Sequence, residues 1–422
     1  MAQPEGYLVS RRYAYFVFAL LFLLYMFDYI DRLVVVSLFP FLKQDWNLSD
    51  TQCGMLVSAV YWSILVCTFP ISVLIDRWSR KKSIGCMSVL WSIATAACAF
   101  TKSFPQLFAA RMAIGVGEAG YAPGGTAMIA AIFPEQKRAL AMGIWNASIP
   151  LGSALGIVLG GFIAVRWGWR HAFGLVALPG LLVAVLFFFV RDYKTVGLIK
   201  TAPSGEKMSL NYREIIRGFA RTPSLIFTYL AFAGNVFVTT ALLSWLPTYF
   251  NRMEGLSMSK AGTKGGLVML LAIIGAPLGG FLADRWQKRR SNARPLFCAI
   301  SSSLTALVLF LSFVVFKGSY PMLLIAGLTA AAFVPAAAAI TQDVVHPGVR
   351  AISYSLCVII QHLLGSSLGP IFVGYISDRA DIATALAALP IFALAAGILF
   401  FAGSFFYEKD LAKTEKIPIT IE

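Results

Sequence analysis

Two charged residues stand within one long apolar stretch of the sequence. Residues 108–128 read FAARMAIGVGEAGYAPGGTAM, which has the composition of a membrane-spanning helix but contains Arg111 and Glu118. A charged side chain at bilayer depth costs about 3 kcal/mol on insertion scales, so such residues face a cavity or a partner. Seven positions place the two on one helix face, about 10 Å apart along the axis. They are too far apart for a direct ion pair, so each needs a partner elsewhere.

The first apolar stretch supplies possible partners, because it contains Asp28, Asp31 and Arg32. Asp28 precedes Arg32 by four residues, which is the favourable order for a helical ion pair and leaves Asp31 free. If the chain begins on the cytoplasmic side, Asp31 and Arg111 both lie about 10 Å from the outer surface. We therefore predict that Asp31 and Arg111 are partners, and that Glu118 lies nearer to the membrane midplane.

Buried carboxylates beside arginines have the chemistry that ion-coupled anion transport needs. Low dielectric favours the neutral form of a carboxylate, whereas a nearby cation favours its ionised form. Glu118 is therefore predicted to carry a proton, with Asp31 as the second candidate. The guanidinium groups of Arg32 and Arg111 offer a fork that suits a carboxylate or a phosphate. Two structural alternatives stay open: Glu118 only hydrogen-bonds neighbouring helices, or Arg111 only locks onto Asp31.

Other polar and aromatic residues in apolar stretches are candidates for the walls of a substrate pocket. Each is more often a buried residue with satisfied hydrogen bonds than a ligand. The candidates are Tyr25, Asn146, Asn235, Thr239, Trp245, Gln361 and His362.

The composition is that of a polytopic all-α membrane protein. Of 422 residues, 58% are hydrophobic and only 13% are charged, against about 25% charged in soluble domains. The apolar runs are long enough to cross a bilayer, which takes about 20 residues for each span. We predict spans at 14–38, 52–75, 84–101, 105–131, 139–165, 171–190, 223–250, 261–283, 295–316, 319–341, 351–377 and 384–406.

The net charge of +15 follows membrane topology rather than a nucleic-acid surface. With a cytoplasmic N-terminus, most Lys and Arg residues fall into cytoplasmic loops, as the positive-inside rule requires. We therefore expect a multi-pass protein of the cell inner (plasma) membrane, with both termini cytoplasmic and no nucleic-acid partner. The first apolar run continues into a full span without a small-residue cleavage site, so a signal peptide is not predicted.

Sequence motifs for metal, nucleotide or hydrolytic chemistry are missing. The six cysteines lie in or beside apolar segments without a CxxC pair, which indicates buried small hydrophobic residues. There is no P-loop, HExxH or GxSxG motif, and the three histidines are far apart in the sequence. We expect no metal, no cofactor and no enzymatic activity.

The chain consists of two similar halves. The segment LIDRWSRKK at 74–82 matches LADRWQKRR at 282–290, and LGSALGIVLGGFI at 151–163 matches LGSSLGPIFVGYI at 364–376. Six spans, an even number, give both halves the same orientation, which is the parallel-repeat design of large transporters. We predict a first six-helix bundle, a basic cytoplasmic linker, a second six-helix bundle and a cytoplasmic tail at 1–190, 191–222, 223–407 and 408–422.

These repeats resemble the major facilitator superfamily over essentially the whole chain. The loop after the second span is similar to the signature GxxxDRxGRR through Asp76, Arg77 and Arg80, with serine in place of both glycines; the second-half copy keeps Asp284 and Arg285. The resemblance implies twelve transmembrane helices in two six-helix bundles around a midplane site. It also implies that these five residues form a cytoplasmic gate that latches neighbouring helices.

Shorter segments resemble two groups within that superfamily. The segments YIDR, GVGEA, IPLGSALG, HLLG and GYISD, which begin at residues 29, 115, 149, 362 and 374, are similar to Spinster-type transporters. The anion:cation symporters share the Asp-Arg pair of the first span and the Arg…GxxEA pattern of the fourth. The first resemblance implies lysophospholipid-like or sphingoid lipids as substrates, and the second implies carboxylates such as sugar acids.

The sequence as a whole predicts a secondary active transporter that acts as a monomer. It is expected to move an organic or amphiphilic anion across the inner membrane by alternating access, in symport with protons. A drug-type proton antiporter is the alternative within transport. A transporter-fold receptor or a membrane enzyme is the alternative from another class, although the chain has no room for a large extra domain.

Overall fold

The computed structural model describes residues 9–77, 79–191, 217–345 and 350–413. Most of the predicted linker 191–222 lies outside these ranges, and so do the side chains of Asp76, Arg77 and Arg80 in the first predicted gate loop. Within the described ranges the chain is helical, and no β-strand occurs in them. The all-α prediction is confirmed.

Nine helices make up the described part of the first half. They are α1 (Arg11–Leu33), α2 (Phe39–Trp46), α3 (Asp50–Arg77), α4 (Arg80–Cys98), α5 (Phe104–Glu118), α6 (Tyr121–Ile132), α7 (Glu135–Asn146), α8 (Ser148–Trp167) and α9 (Trp169–Phe187), with a 3-10 segment at Val34–Leu38 between α1 and α2.

The described part of the second half contains ten α-helices of six residues or more. They are α10 (Pro223–Glu254), α11 (Met258–Leu270), α12 (Ala272–Gln287), α13 (Ala293–Phe310), α14 (Tyr320–Ala332), α15 (Val334–Asp343), α16 (Arg350–Ile360), α17 (Gly369–Arg379), α18 (Ile382–Ala387) and α19 (Leu389–Ala412), with π-helical segments at Leu311–Val315 and Gln361–Ser366.

Ten helical stretches among the described residues are long and apolar enough to cross a membrane. They coincide with ten of the twelve predicted spans. The two other predicted spans, 84–101 and 105–131, correspond to α4 and to the pair α5 and α6.

The predicted span 105–131 is interrupted at residues 119–120 rather than continuous. Pro123 explains the position of the break, because a proline cannot donate to the carbonyl four residues earlier and its ring clashes with that carbonyl. Pro150 acts in the same way, since α7 ends at Asn146, four residues before it. The sequence therefore places two interruptions close to the charged residues of the fourth span.

A stripe of glycines, Gly152, Gly156 and Gly160, recurs every four residues on α8 and packs against α1 and the 3-10 segment that follows it. A Cβ atom on Gly152 would lie 2.3 Å from the carbonyl oxygen of Met26, and one on Gly156 would lie 2.7 Å from that of Ile30. Both contacts are with backbone atoms that cannot move aside. Glycine is therefore required at these positions for the helices to pack this closely.

By internal packing the chain divides into two compact units. Unit 1 contains Met1–Tyr193, Thr240–Ile273 and Ser366–Leu386; unit 2 contains Lys194–Thr239, Ile274–Gly365 and Ala387–Glu422. Unit 1 thus contains the predicted first bundle together with α11, α17, parts of α10 and α12, and most of α18. The domain division read from the sequence stays a prediction.

Candidate functional site

Arg32 lies at the centre of a buried ionic cluster in unit 1. Its Nη2 atom is 2.7 Å from an oxygen of Asp28 and 2.8 Å from an oxygen of Glu118. The three side chains expose 6%, 1% and 0% of their surface. The predicted pair between Asp28 and Arg32 is confirmed, whereas the contact with Glu118 was not predicted. One guanidinium therefore bridges carboxylates from two helices, α1 and α5.

Two tyrosine rings flank the same guanidinium. Its central carbon is 4.5 Å from the ring centroid of Tyr29 and 5.4 Å from that of Tyr61. Both distances are within the range of cation–π attraction, which strengthens when water is excluded. Arg32 is thus held by two carboxylates and two aromatic faces. If Arg32 lost one of its carboxylate partners, the remaining carboxylate and the two tyrosine rings would still surround its guanidinium.

Glu118 occupies an unfavourable electrostatic position apart from its contact with Arg32. It is the last residue of α5, where the negative end of the helix dipole disfavours a carboxylate. Neither of its carboxylate oxygens meets hydrogen-bond geometry with any residue the structure describes. The contact between Arg32 and Glu118 is therefore an ion pair without a well-directed hydrogen bond. It is the contact in the described structure that offsets the unfavourable helix dipole at Glu118. Such a carboxylate is easily given a proton when its cation moves away.

Arg111 is fully buried and contacts backbone carbonyls rather than a carboxylate. Its Nε, Nη1 and Nη2 atoms donate to the carbonyl oxygens of Leu56, Asp31 and Arg32 at 3.1, 3.0 and 2.8 Å. The prediction that Arg111 pairs with the side chain of Asp31 is therefore wrong. The carbonyls of Asp31 and Arg32 lie at the end of α1, directly before the 3-10 segment that begins at Val34.

The carboxylate of Asp31 is buried and lacks a hydrogen-bond partner among the described residues. The hydroxyl of Thr95 on α4 lies close to it, but outside hydrogen-bond geometry. A charged carboxylate without a partner is costly in an apolar interior. Asp31 is therefore a second place where a proton would be held.

The cluster has an odd number of ionisable groups. It contains three acidic side chains, Asp28, Asp31 and Glu118, and two basic ones, Arg32 and Arg111, all of them buried. Three negative charges against two positive charges leave one uncompensated carboxylate. Because an isolated buried charge is so costly, a bound proton is the simplest compensation. The cluster therefore contains one more acidic group than basic groups.

Aromatic residues extend the site along α1 toward the N-terminal end of the chain. Tyr25 stacks on Trp145 with ring centroids 4.2 Å apart and contacts Tyr121 at 5.4 Å. The hydroxyl of Tyr121 and the indole nitrogen of Trp145 both donate to the carbonyl oxygen of Leu21. Tyr25 therefore belongs to a packed aromatic group. The spacing of Tyr25, Tyr29 and Arg32 on one helix face was the available sequence signal for this extension.

The other pocket candidates are distributed over the two units. Asn146 in unit 1 is exposed and its amide donates to the carbonyl of Met142. Trp245, also in unit 1, is fully buried and its indole nitrogen donates to the carbonyl of Pro370 at 2.9 Å. Trp245 is therefore held as a packing residue in this conformation, whereas Asn146 is available to a ligand.

Four candidates lie in unit 2. Asn235 is buried and its amide donates to Ser302 at 2.9 Å, so its polar group is already partnered. Thr239 and Gln361 are half-buried and donate to the carbonyl of Val236 and to the sulfur of Cys357. His362 is half-buried within the π-helical segment. A π-helical turn is frequent at functional sites, which keeps His362 the most notable of the four.

The predicted gate loop of the second half contains an ion-pair network that the motif only partly indicated. Asp284 pairs with Arg294 at 2.9 Å, and Arg294 also contacts Asp343 at 2.5 Å. The hydroxyl of Tyr407 donates to Asp343 at 2.8 Å. Arg285 is exposed. The sequence did not single out Arg294, because it is one of several basic residues in the loop 285–294, or Asp343, because it stands alone at the end of an apolar run.

Comparison with known sequences identifies relatives over most of the chain. The Major Facilitator Superfamily profile matches residues 21–370. The chain is 30% identical to the hexuronate transporter of Bacillus subtilis (strain 168) over 67% of each chain. It is 28% identical to the sphingosine-1-phosphate transporter SPNS2 of Xenopus tropicalis, over 92% of this chain and 81% of that one. Protein spinster homolog 1 of Homo sapiens is 28% identical, over 86% and 73%. The predicted resemblances are confirmed.

Solved structures show the same fold. A bacterial homologue of the human lysosomal transporter Spinster, in an inward-facing and occupied conformation, superposes with a TM-score of 0.81 over 95% of this chain and 99% of that one, at 23% identity. A D-xylose–proton symporter superposes with a TM-score of 0.74 over 96% and 100%, at 17% identity. The fold class predicted from the sequence is confirmed, and the chain belongs to the Major Facilitator Superfamily of membrane transporters.

Proposed function

We propose that this transporter moves an organic or amphiphilic anion across the cell inner membrane in symport with a proton. One observation carries the proposal: Arg32 is a buried cation shared between two carboxylates, Asp28 and Glu118, at distances of 2.7 and 2.8 Å. An anionic substrate that binds Arg32 must displace one of them. The displaced carboxylate then has to bind a proton, because it is buried.

Glu118 is the carboxylate that is displaced in this mechanism. Asp28 is attached to Arg32 by a well-directed hydrogen bond within one helix, whereas Glu118 belongs to another helix and opposes its own helix dipole. The substrate anion X⁻ forms an ion pair with Arg32, the carboxylate of Glu118 takes up one H⁺, and the net charge of the site is unchanged. Release of X⁻ on the other side returns Arg32 to Glu118 and frees the proton. For a monoanion the cycle is electroneutral.

Arg111 has a different role in this proposal from that of a ligand. Each of its three nitrogens donates to a backbone carbonyl in this conformation, so we assign contact with the anion to Arg32. Asp31 serves as the reserve proton site. Tyr29 lies beside the Arg32 guanidinium and Tyr25 lies beside Tyr29, and we propose that these two residues and Asn146 contribute to the substrate pocket. The residues Asn235, Thr239, Gln361 and His362 are proposed as contacts from the second half.

The substrate class follows from chemistry that two relatives share. One relative is named a hexuronate transporter and another a sphingosine-1-phosphate transporter. A sugar acid and a lipid phosphate have an anionic group in common, and a guanidinium binds both carboxylate and phosphate. The aromatic group beside Arg32 accommodates either a sugar ring or the first part of an acyl chain. We propose the shared anionic group as the recognised feature.

The orientation follows from the basic loops. Positive residues favour the cytoplasmic side, which places both termini, the 191–222 linker and the gate residues Asp76, Arg77, Arg80, Asp284 and Arg285 in the cytoplasm. A single chain contains both halves of the proposed pathway, so a monomer is the functional unit.

A ligand screen followed by transport in vesicles tests the function. Purified protein is first tested for thermal stabilisation by lysolipids, sugar acids and cationic drugs, since a ligand that binds the native state raises the melting temperature. Proteoliposomes then measure uptake of the best ligand with and without an imposed pH gradient. Stabilisation by anions and gradient-dependent uptake are expected. Stabilisation by cationic drugs alone, with proton-driven efflux, would support the drug-type antiporter instead.

A further inference from the structure

Unit 1 contains a close contact between the first and second halves of the sequence at its distal end. We define the distal end as the end at which α1 and its extension α2 finish, opposite to residue 11. There, a Cβ on Gly54 would lie 2.5 Å from the carbonyl oxygen of Pro370, and one on Gly374 would lie 2.4 Å from that of Asp50. Helices α3 and α17 thus touch backbone to backbone, and the hydroxyl of Ser58 donates to the carbonyl of Ser367 at 2.6 Å.

A second glycine-lined contact joins α8 and α11 within the same unit. A Cβ on Gly161 would lie 2.5 Å from the carbonyl oxygen of Met258, and one on Gly262 would lie 2.9 Å from that of Ile157. No ion pair among the described residues spans this second contact. The two contacts therefore give similar close packing, but they differ in charge.

The contact between α3 and α17 is closed by an ionic cluster centred on Asp50. Arg252 of α10 donates to both oxygens of Asp50, at 2.6 and 2.7 Å, in the bidentate geometry that favours Arg over Lys. Lys43 of α2 is 2.5 Å from the same carboxylate, and the hydroxyl of Ser377 donates to it at 2.6 Å. Asp50 is 2% exposed. Its carboxylate therefore has four donor contacts, and two of the donor residues come from the other half of the sequence.

Asp378 of α17 also belongs to this cluster, but it contacts the first residues of α3 rather than the Asp50 carboxylate. Its carboxylate accepts from the backbone nitrogens of Asp50 and Thr51 at 2.7 and 2.8 Å, and from the hydroxyl of Thr51 at 2.6 Å. An aspartate at a helix N-terminus satisfies free N–H groups and complements the helix dipole. Ser49 and Gln52 cap the start of α3 locally, by hydrogen bonds between the side chain of each and the backbone nitrogen of the other. Asp378 of α17, more than 300 residues later, adds acceptors for the N–H groups of Asp50 and Thr51, so these two groups keep their partner only while α3 and α17 are in contact.

We propose that Lys43, Asp50, Arg252, Ser377 and Asp378 form a latch that holds the distal end of the pathway closed, and that this latch must break each time that end opens. Breaking it separates Asp50 from Arg252 and Ser377, and the start of α3 from Asp378. The contact between α8 and α11 lacks such charges and acts as the hinge side. The proposal concerns the conformational equilibrium and goes beyond the identity of substrate and coupling ion.

A native cysteine reports on the latch without any added probe. Cys53 lies on α3 one turn from Asp50 and is 0% exposed. Opening of the distal end exposes its thiol, whereas the closed state protects it. Cys98 on α4 is equally buried, and its thiol donates to the carbonyl of Ala94 within its own helix. Cys98 therefore serves as an internal reference for general loosening of the protein.

The experiment is timed alkylation of the purified full-length protein with N-ethylmaleimide, read residue by residue by peptide mass spectrometry. The variants are Asp50→Asn, Arg252→Gln and Asp378→Asn. Each should raise the alkylation rate of Cys53 at least about fivefold by shifting population toward the open state, with Cys98 unchanged. Arg170→Gln is the matched control, because it removes an ion pair with Asp45 within the first half alone. It should leave the Cys53 rate as in the wild type.

High salt supplies a second measurement that needs no substitution. The side chains of Lys43 and Arg252 are 30% exposed, so ions can screen them. Raising the ionic strength should speed alkylation of Cys53 in the wild type and leave the alkylation rate of Cys98 unchanged. This comparison uses the wild-type protein alone, so it stands even if the variants fold poorly.

Two results would overturn the proposal. One is a Cys53 rate that stays at the wild-type value in all three variants while gel filtration shows folded protein. The other is an equal rise at Cys53 and Cys98, which would mean general loosening. Neither result depends on a substrate or a proton gradient, so failure of the latch and failure of the proposed function are distinguishable.

Discussion

The two buried arginines of the first half do different chemical work. Arg32 contacts two side-chain carboxylates, one of which the substrate anion replaces in the proposed mechanism. Arg111 contacts carbonyl oxygens that belong to the backbone of α1 and α3 and cannot be exchanged. Because Arg111 fixes the carbonyl of Arg32 itself, it positions the residue whose side chain faces Glu118. The sequence places both arginines at membrane depth but does not separate these roles.

Substitution of Glu118 by Gln tests the proton-carrier role. Gln keeps the shape and much of the hydrogen bonding of a protonated Glu but cannot release a proton. Glu118→Gln should fold and bind substrate, should lose accumulation driven by a pH gradient, and should retain exchange of substrate for substrate. The measurement is proteoliposome uptake with and without the gradient. Glu254→Gln, which changes an exposed ion pair with Lys264, is the control.

The opposite result has a clear meaning. If Glu118→Gln accumulates substrate in response to the gradient as the wild type does, Glu118 is only a contact between helices. Asp31, whose carboxylate lacks a hydrogen-bond partner in the described structure, then becomes the proton site to test.

Replacing Arg111 by Lys separates a positioning role from a ligand role. A lysine ammonium is a point donor and cannot reproduce the planar fork that reaches three carbonyls. The carbonyls left without a donor should cost about 2–4 kcal/mol of stability in total. We expect a lower melting temperature without ligand, together with weaker transport. Arg170→Lys, which changes a half-exposed pair, should have little effect.

A substrate-ligand role for Arg111 makes a different prediction. Substrate affinity would then fall while the melting temperature of the ligand-free protein stayed at the wild-type value. Measuring both quantities on the same preparation decides between the two roles.

At the scale of helices, the sequence predicts where each helix lies better than it predicts whether that helix is continuous. The twelve apolar runs all correspond to helices, and Pro123 and Pro150 mark two of the breaks. The 3-10 segment Val34–Leu38 has no comparable signal, because VVVSL fits an ordinary apolar span. That segment directly follows two of the three carbonyls that Arg111 binds. The sequence pattern does not indicate that Arg111 contacts these backbone atoms instead of the Asp31 side chain.

The contact between Arg32 and Glu118 shows another limit. The interval between residues on one helix gives the Asp28–Arg32 pair directly. A contact between α1 and α5 depends instead on how two helices pack and on the reach of a long side chain. Without knowledge of how α1 and α5 pack, the sequence gives the membrane depth of Glu118 but not the residue that it contacts. The glycine stripe on α8 predicts close approach, yet it does not identify the facing carbonyls.

A glycine substitution tests how tightly α8 must pack on α1. A Cβ on Gly156 would lie 2.7 Å from the carbonyl oxygen of Ile30 and 3.0 Å from its Cα. Since both are backbone atoms, Gly156→Ala should force the helices apart and cost about 1–3 kcal/mol. Gly143→Ala on α7 is the matched control, because nothing lies within 4 Å of the added methyl group. It should be neutral or slightly stabilising.

Thermal unfolding of the two variants provides the comparison. A melting temperature for Gly156→Ala equal to that of Gly143→Ala would show that α8 and α1 can separate without loss. A lower value for Gly156→Ala alone would show that the close contact is required.

At the scale of the whole molecule, the two similar halves differ in charge. An offset of 211 residues from Glu118, within the range of 208 to 213 that relates the repeats, leads to Thr329. Thr329 is buried in unit 2, where its hydroxyl accepts from Thr305 at 3.0 Å and its carbonyl accepts from Ser301 at 3.0 Å. Every offset in that range leads to a neutral residue, since residues 326–331 read AGLTAA. The second half has the same apolar sequence pattern as the first half, so only the identities of individual residues reveal the difference in charge.

This asymmetry predicts that proton coupling belongs to the first half alone. Thr329→Val removes a buried hydroxyl and its hydrogen bonds, which should cost about 1 kcal/mol of stability. It should not change the dependence of uptake on the pH gradient, because no ionisable group is altered. The measurement is the ratio of uptake with and without the gradient, in Thr329→Val, in Glu118→Gln and in the wild type. We expect Thr329→Val to keep the wild-type ratio and Glu118→Gln to bring it to unity. A ratio of unity in Thr329→Val, at wild-type expression and binding, would show that the second half takes part in coupling and that the charge asymmetry does not locate the proton path.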